Sequence, residues 1–120
     1  MNKIYYLSTC STCKKILKDT KADTVCDVQD LKKQHITPEE LDVLAEKIGS
    51  YEMLFSRKSQ KYKIMGLKDK ELTEQDYRAY ILSDYTFLKR PIIIIGKKYL
   101  VGNDTRKVSE LKNLMLNGDW

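Results

Sequence analysis

Long hydrophobic runs are missing from this chain of 120 residues. The longest apolar stretch is the IIII at 92–95, far short of the roughly 20 apolar residues that a helix needs to cross a bilayer. The opening residues, MNKIYYLS, carry neither an extended apolar core nor a small-residue cleavage site, so no secretory signal is expected and the expected location is the cytoplasm. No internal repeat, low-complexity tract or flexible linker interrupts the sequence, and one domain spanning residues 1–120 is expected. Cysteine is scarce and odd in number, with Cys10, Cys13 and Cys26. Three thiols without an export signal do not suggest a disulfide framework, because cytoplasmic thiols are kept reduced. Catalysis, redox sensing and metal binding stay open. The single histidine, His35, sits in a polar loop and is assigned no role.

Hydrophobic residues make up 42% of the chain and charged residues 32%, an ordinary globular balance. The net charge of +5 arises from 22 basic and 17 acidic residues, which favours anionic partners. The lysines are scattered rather than blocked, so neither a membrane surface nor direct nucleic-acid binding is expected.

Residues 3–7, KIYYL, are rich in aromatic and aliphatic side chains and predict a first strand. From Ser11 the pattern becomes helical, with Ile16 and Leu17 on one face and lysines on the other. Residues 22–28, ADTVCDV, predict a short second strand, completing a βαβ unit with a parallel pair. Thr37-Pro38-Glu39-Glu40 and Thr73-Glu74-Gln75-Asp76 are helix starts, each with a threonine cap and an acid three residues later. Another helix is predicted to start over 51–55 and to break near 57–59. Strand character returns at 91–95, a turn at Gly96-Lys97 leads to a strand at 99–101, and Asp104 or Thr105 can cap a last helix. The order is βαβ, several helices, then ββα. Without the middle helices this is the thioredoxin-type order. The fold class is therefore α/β, a thioredoxin-like mixed sheet of about four strands with a helical insertion, about 37–88, between the second and third. Pro91 opens a strand without an N–H to give, which places it at an edge, a bend or a cis bond.

The sequence STCSTCKKIL, residues 8–17, puts Cys10 and Cys13 where the first strand gives way to the helix. A cysteine there meets unpaired backbone N–H groups and the positive end of the helix dipole, and both favour thiolate over thiol. The same N–H groups, at Ser11 and Thr12, can hold an oxyanion. Cys13 lies one turn further along the same face, placed to attack Cys10 once Cys10 carries a leaving group. Zinc would need Cys10, Cys13, Cys26 and His35 together. Cys26 falls in the predicted second strand and only one close cysteine pair exists, so no metal is expected. Arg57, at a helix break, and Arg90, at the entrance of the strand beginning at Pro91, are fork donors suited to tetrahedral oxyanions.

CSTC, SRKSQKYKIMGL (56–67) and LKRPIIIIGKKYLVG (88–102) together resemble the arsenate reductase (ArsC)-like family, which includes glutaredoxin-coupled reductases and the Spx transcription regulators. The resemblance runs from Ile4 to about Leu114. It implies a thioredoxin-like sheet with a helical insertion and no tightly bound cofactor. It further implies Cys10 as the nucleophile toward an oxyanion, with Arg57 and Arg90 holding that anion. Glutathione and glutaredoxin, or thioredoxin, would supply electrons. The chain departs from the plasmid-type reductases at Cys13, where they have serine, and at Tyr6, where they have histidine nearby. It also departs at VGND (101–104), where they carry a third arginine. Its CxxC pair is similar to that of the Spx branch, which implies an alternative function: a redox switch that binds the RNA polymerase alpha subunit, with Gly49 and Arg57 at that surface.

Overall fold

A computed structural model describes residues 2–118. The elements in chain order are β1 (Lys3–Tyr6), α1 (Ser11–Thr20), β2 (Asp27–Asp30), α2 (Pro38–Ile48), α3 (Gln60–Ile64), α4 (Glu74–Ser83), β3 (Ile92–Ile95), β4 (Lys98–Val101) and α5 (Thr105–Asn117). Single 3-10 turns occur at Ala22–Thr24, Glu52–Leu54, Leu67–Asp69 and Tyr85–Phe87. The chain divides into two compact units, one made of the residues up to Gln34 and from Arg90 onward, the other of His35–Lys89.

The first unit is built on a mixed sheet of order β2-β1-β3-β4. Strand β1 runs parallel to β2 and antiparallel to β3, and β3 forms an antiparallel hairpin with β4. The parallel pair needs a crossover, and α1 supplies it. All four isoleucines of β3 are buried, the signature of a strand covered on both faces. On one face, Ile4, Ile93, Ile95 and Leu100 pack with Ile16 and Leu17 of α1 and Leu111 of α5. Each such side chain contributes about 1.5–3 kcal/mol on burial, so the cluster anchors both helices to the sheet.

The sequence places three features differently from the structure. The second strand begins at Asp27 rather than at residue 22, because Lys21 adopts a left-handed conformation (φ 59°) and Ala22–Thr24 then forms a helical turn. Cys26 consequently precedes the strand, half-buried against the core cluster. In the second unit, the helix expected over 51–55 is a single 3-10 turn at Glu52–Leu54. Trp120 lies outside the described residues. The Arg90–Pro91 peptide bond is cis.

The second unit centres on Phe55. Its ring stacks on Phe87 with centroids 5.4 Å apart and meets Tyr77 at 4.9 Å. Both threonine starts form full capping boxes, Thr37 with Glu40 and Thr73 with Asp76, satisfying backbone donors that the helix itself cannot. His35 is tied into this unit by a 2.9 Å hydrogen bond between Nε2 and the Ile81 carbonyl.

Asp84 caps the turn before Phe87. Burial pushes its carboxyl up, but hydrogen bonds from Lys61 and from the Thr86 hydroxyl and N–H outweigh that and lower it to about 2. A depressed carboxyl contributes stability above its unfolded value and loses it as pH falls through the folded value. Asp84→Asn should therefore cost about 1–2 kcal/mol at neutral pH, allowing for the solvent exposure of Lys61. The deficit should vanish as the wild-type carboxyl protonates, at a pH near 2, as read from urea denaturation across acidic pH.

Candidate active site

Strand β1 delivers the chain into a tight turn over 7–9, closed by the Cys10 N–H donating to the Leu7 carbonyl at 2.9 Å. Cys10 is the N-cap of α1, with extended backbone (φ −93°, ψ 105°). Its sulfur occupies the place usually taken by a serine or aspartate oxygen and accepts the Cys13 N–H at 3.4 Å. Cys10 is half-buried and Cys13 is fully buried, and both are free thiols.

Burial pushes the Cys10 thiol up, but four favourable contacts outweigh it and hold the thiol below its ordinary value. These are hydrogen bonds from the Cys13 thiol and N–H, the Arg90 charge and the Thr12 N–H. Cys13 goes the other way, pushed up to about 12 by burial, by its hydrogen bond to Cys10 and by the Cys10 negative charge. Contacts to the Leu7 backbone and the Arg90 charge oppose this only in part. The pair is therefore polarised: of the two sulfurs, Cys10 is the one whose surroundings favour the negative charge, and Cys13 the one that holds its proton more tightly. A thiolate at a helix N-terminus is the form that attacks.

The first unit thus brings Cys10, Cys13, Ser11, Thr12 and Arg90 to one place. Ser11 and Thr12 occupy the first turn of α1. Arg90 precedes the cis Pro91, whose carbonyl accepts the Gly102 N–H at 2.9 Å. The stretch 101–104, which lacks an arginine, has a local structural role: Gly102 (φ 91°) holds Pro91, and Asp104 caps α5 through Lys107 N–H at 2.9 Å. Tyr6 is half-buried against the core cluster.

Arg57 belongs to the second unit. Its Nη2 donates to Glu52 at 2.8 Å and to the Tyr77 hydroxyl at 3.1 Å, and its guanidinium lies over the Phe55 and Tyr77 rings. Glu52 and Tyr77 are not recognisable from the sequence as partners of Arg57, since one sits in an irregular turn and the other 20 residues away. Asp30 likewise has no recognisable role in the sequence, yet its carboxylate accepts the Ser8 N–H two residues ahead of Cys10. The strand predicted from the sequence ends at Val28, two residues short of Asp30, so the sequence carries no signal for it. Among the described residues, no group of three or more His, Cys, Asp or Glu side chains is placed to hold a metal ion, and no helix is long and apolar enough to cross a membrane.

The ArsC family profile matches residues 5–111. The chain belongs to the ArsC family. YusI of Bacillus subtilis (strain 168), an uncharacterized protein, is 29% identical over 103 residues, covering 82% of this chain and 86% of its own. Among solved structures, an arsenate reductase from Vibrio cholerae superposes with a TM-score of 0.72 at 19% identity, covering 93% of this chain and 95% of the other. An arsenate reductase (ArsC) related protein from Brucella melitensis gives 0.66 at 22% identity, with 91% and 92% covered. The architecture is thus the thioredoxin-like fold of the ArsC proteins, and membership of the family supports a thiol-dependent, reductase-like function.

Removing the Arg90 charge takes away one of the contacts that favour the thiolate. Arg90→Ala should raise the Cys10 pKa above that of the wild-type thiol, and a thiolate absorbance titration would show it. An unchanged titration would mean that the arginine does not act on the sulfur.

Proposed function

We propose that this ArsC-family protein is a two-thiol reductase. Cys10 attacks an oxyanion or a thiol-linked substrate, and Cys13 resolves the adduct as a Cys10–Cys13 disulfide. The observation that carries this is the opposed polarisation of two cysteines one helical turn apart, an acidic Cys10 beside a buried Cys13 whose thiol is pushed up to about 12.

With arsenate, the Cys10 thiolate forms a sulfur–arsenic bond and an arsenate oxygen leaves as water. The Cys13 sulfur then attacks the Cys10 sulfur, the sulfur–arsenic bond breaks, and its electron pair stays on arsenic, which leaves as arsenite. Two thiols lose two electrons in total and arsenic gains two. With a mixed-disulfide substrate, Cys10 displaces one thiolate and Cys13 displaces the other. The charge balance times these steps. While Cys10 is a thiolate, burial first, then the Cys10 hydrogen bond and charge, hold the proton on Cys13. Once Cys10 is capped, the two Cys10 contributions disappear while burial stays, and Cys13 becomes easier to deprotonate at the moment it is needed.

The backbone N–H groups of Ser11 and Thr12 and the Arg90 guanidinium are proposed to bind the anion; for Arg57, in the second unit, only the family resemblance implies such a role. The stretch 101–104 lacks the arginine that the plasmid-type reductases carry there, and losing one charge-assisted hydrogen bond weakens oxyanion binding by roughly 1.5–3 kcal/mol. That favours a substrate held partly through sulfur. No tightly bound cofactor is needed, since glutathione with glutaredoxin, or thioredoxin, can reduce the disulfide. A second reading, a redox-switched regulator binding the RNA polymerase alpha subunit, draws on Gly49, which closes α2 at φ 132°, and on the partly exposed Arg57.

Arsenate and glutathione mixed-disulfide turnover, each with glutaredoxin and with thioredoxin, tests the proposal. Cys10→Ser should abolish turnover. Cys13→Ser should leave the first attack intact and accumulate a Cys10 adduct visible by intact mass. Absence of turnover with every donor, despite an acidic Cys10, would exclude the reductase.

A further inference from the structure

We propose that Asp30 is a positioning residue for the nucleophile: its carboxylate clamps the turn that delivers Cys10 to the N-terminus of α1. The proposal rests on Cys10 being the reacting thiol.

Asp30 is the last residue of β2 and pairs with Tyr6, the last residue of β1. The Leu31 N–H donates to the Tyr6 carbonyl at 2.8 Å, so the two chains remain joined one step beyond the strands. Asp30 is itself rigidly held. Its backbone carbonyl accepts from Lys33 N–H at 3.0 Å and Gln34 N–H at 2.9 Å. Its Oδ1 accepts from Lys32 N–H at 3.1 Å, an Asx-turn closed by the residue's own side chain. The Gln29 side chain donates to the Gln34 carbonyl at 2.9 Å and ties down the far end of the same turn.

From this fixed base the same Oδ1 reaches across 22 residues of sequence to accept the Ser8 N–H at 3.1 Å. The contact falls within the three-residue turn that aims Cys10. Immediately beyond it, Cys10 N–H returns to Leu7 carbonyl and Cys10 sulfur takes the Cys13 N–H. A continuous hydrogen-bonded path therefore runs from the β2 turn through Asp30 and Ser8 to the cap of α1. Hydrogen bonding from the Ser8 hydroxyl, opposed by burial and aided by the Ser8 and Lys32 N–H groups and the Lys33 charge, holds the Asp30 carboxyl below the usual carboxylate range. It is thus ionised at neutral pH and acts as a strong acceptor.

A carboxylate close to a thiolate would by itself disfavour the thiolate. Charge and geometry therefore predict opposite results, and Asp30→Asn and Asp30→Ala separate them. Asn keeps a side-chain oxygen for Ser8 and Lys32 but removes the charge, whereas Ala removes both. The readout is the rate of Cys10 alkylation by iodoacetamide as a function of pH in the full chain, alongside circular dichroism to confirm folding. Since alkylation follows the thiolate fraction, Asp30→Ala should slow it at neutral pH by about threefold or more, and Asp30→Asn should stay within about twofold of wild type. A folded Asp30→Ala protein that alkylates like wild type overturns the role, and so does an Asp30→Asn protein that changes as much as the alanine variant. Should Asp30→Ala fail to fold, hydrogen exchange of the wild-type Ser8 amide decides: protection of about tenfold or more over the unfolded-chain rate supports the clamp, and no protection overturns it. A wild-type Cys10 that titrates like a free thiol would instead defeat the reductase reading itself, an outcome distinct from an acidic Cys10 that ignores Asp30.

Discussion

The hydrogen bond from the first turn of α1 to the Cys10 sulfur is the contact on which the chemistry depends. A helix start leaves backbone N–H groups without intrahelical partners, and this chain gives one of them to a sulfur rather than to a serine or aspartate oxygen. A neutral thiol is a poor acceptor and a thiolate is a good one, so the cap that begins the helix also favours the charged nucleophile. Local structure and reactivity come from the same interaction.

That interaction is only as good as the support beneath it. Strand β1 is hydrogen-bonded on both sides, to β2 and β3, and Ile4 at its middle is fully buried. Helix α1 is fixed to the same sheet through Ile16 and Leu17. The turn between them has little freedom left. Cys13, on the buried side of α1, sits where a charge is costly and a proton is retained, while half-buried Cys10 remains accessible to a substrate. The division of labour between the two sulfurs follows from their depth as much as from their neighbours.

Much of this is legible in the sequence because it is local. The KIYYL–STCSTC boundary, the two threonine capping boxes and the IIII strand are set by residues a few positions apart. The second strand is less legible: ADTVCDV has strand-forming residues, yet Val25 and Val28 are both exposed, and a left-handed Lys21 diverts the chain into a helical turn. Partners distant in sequence are invisible in principle without coordinates. Nothing near Ser8 announces Asp30, and nothing near Arg57 announces Tyr77. The three separated motifs place the chain in its family, but they do not show that Arg57 is already engaged by Glu52.

The most direct measurement is an NMR titration of the cysteine Cβ shifts in the reduced wild-type protein. The account predicts that Cys10 titrates below an ordinary cysteine and that Cys13 stays protonated until far higher pH. A Cys13 that loses its proton first, or a Cys10 that titrates no lower than a cysteine in an unfolded peptide, would contradict it.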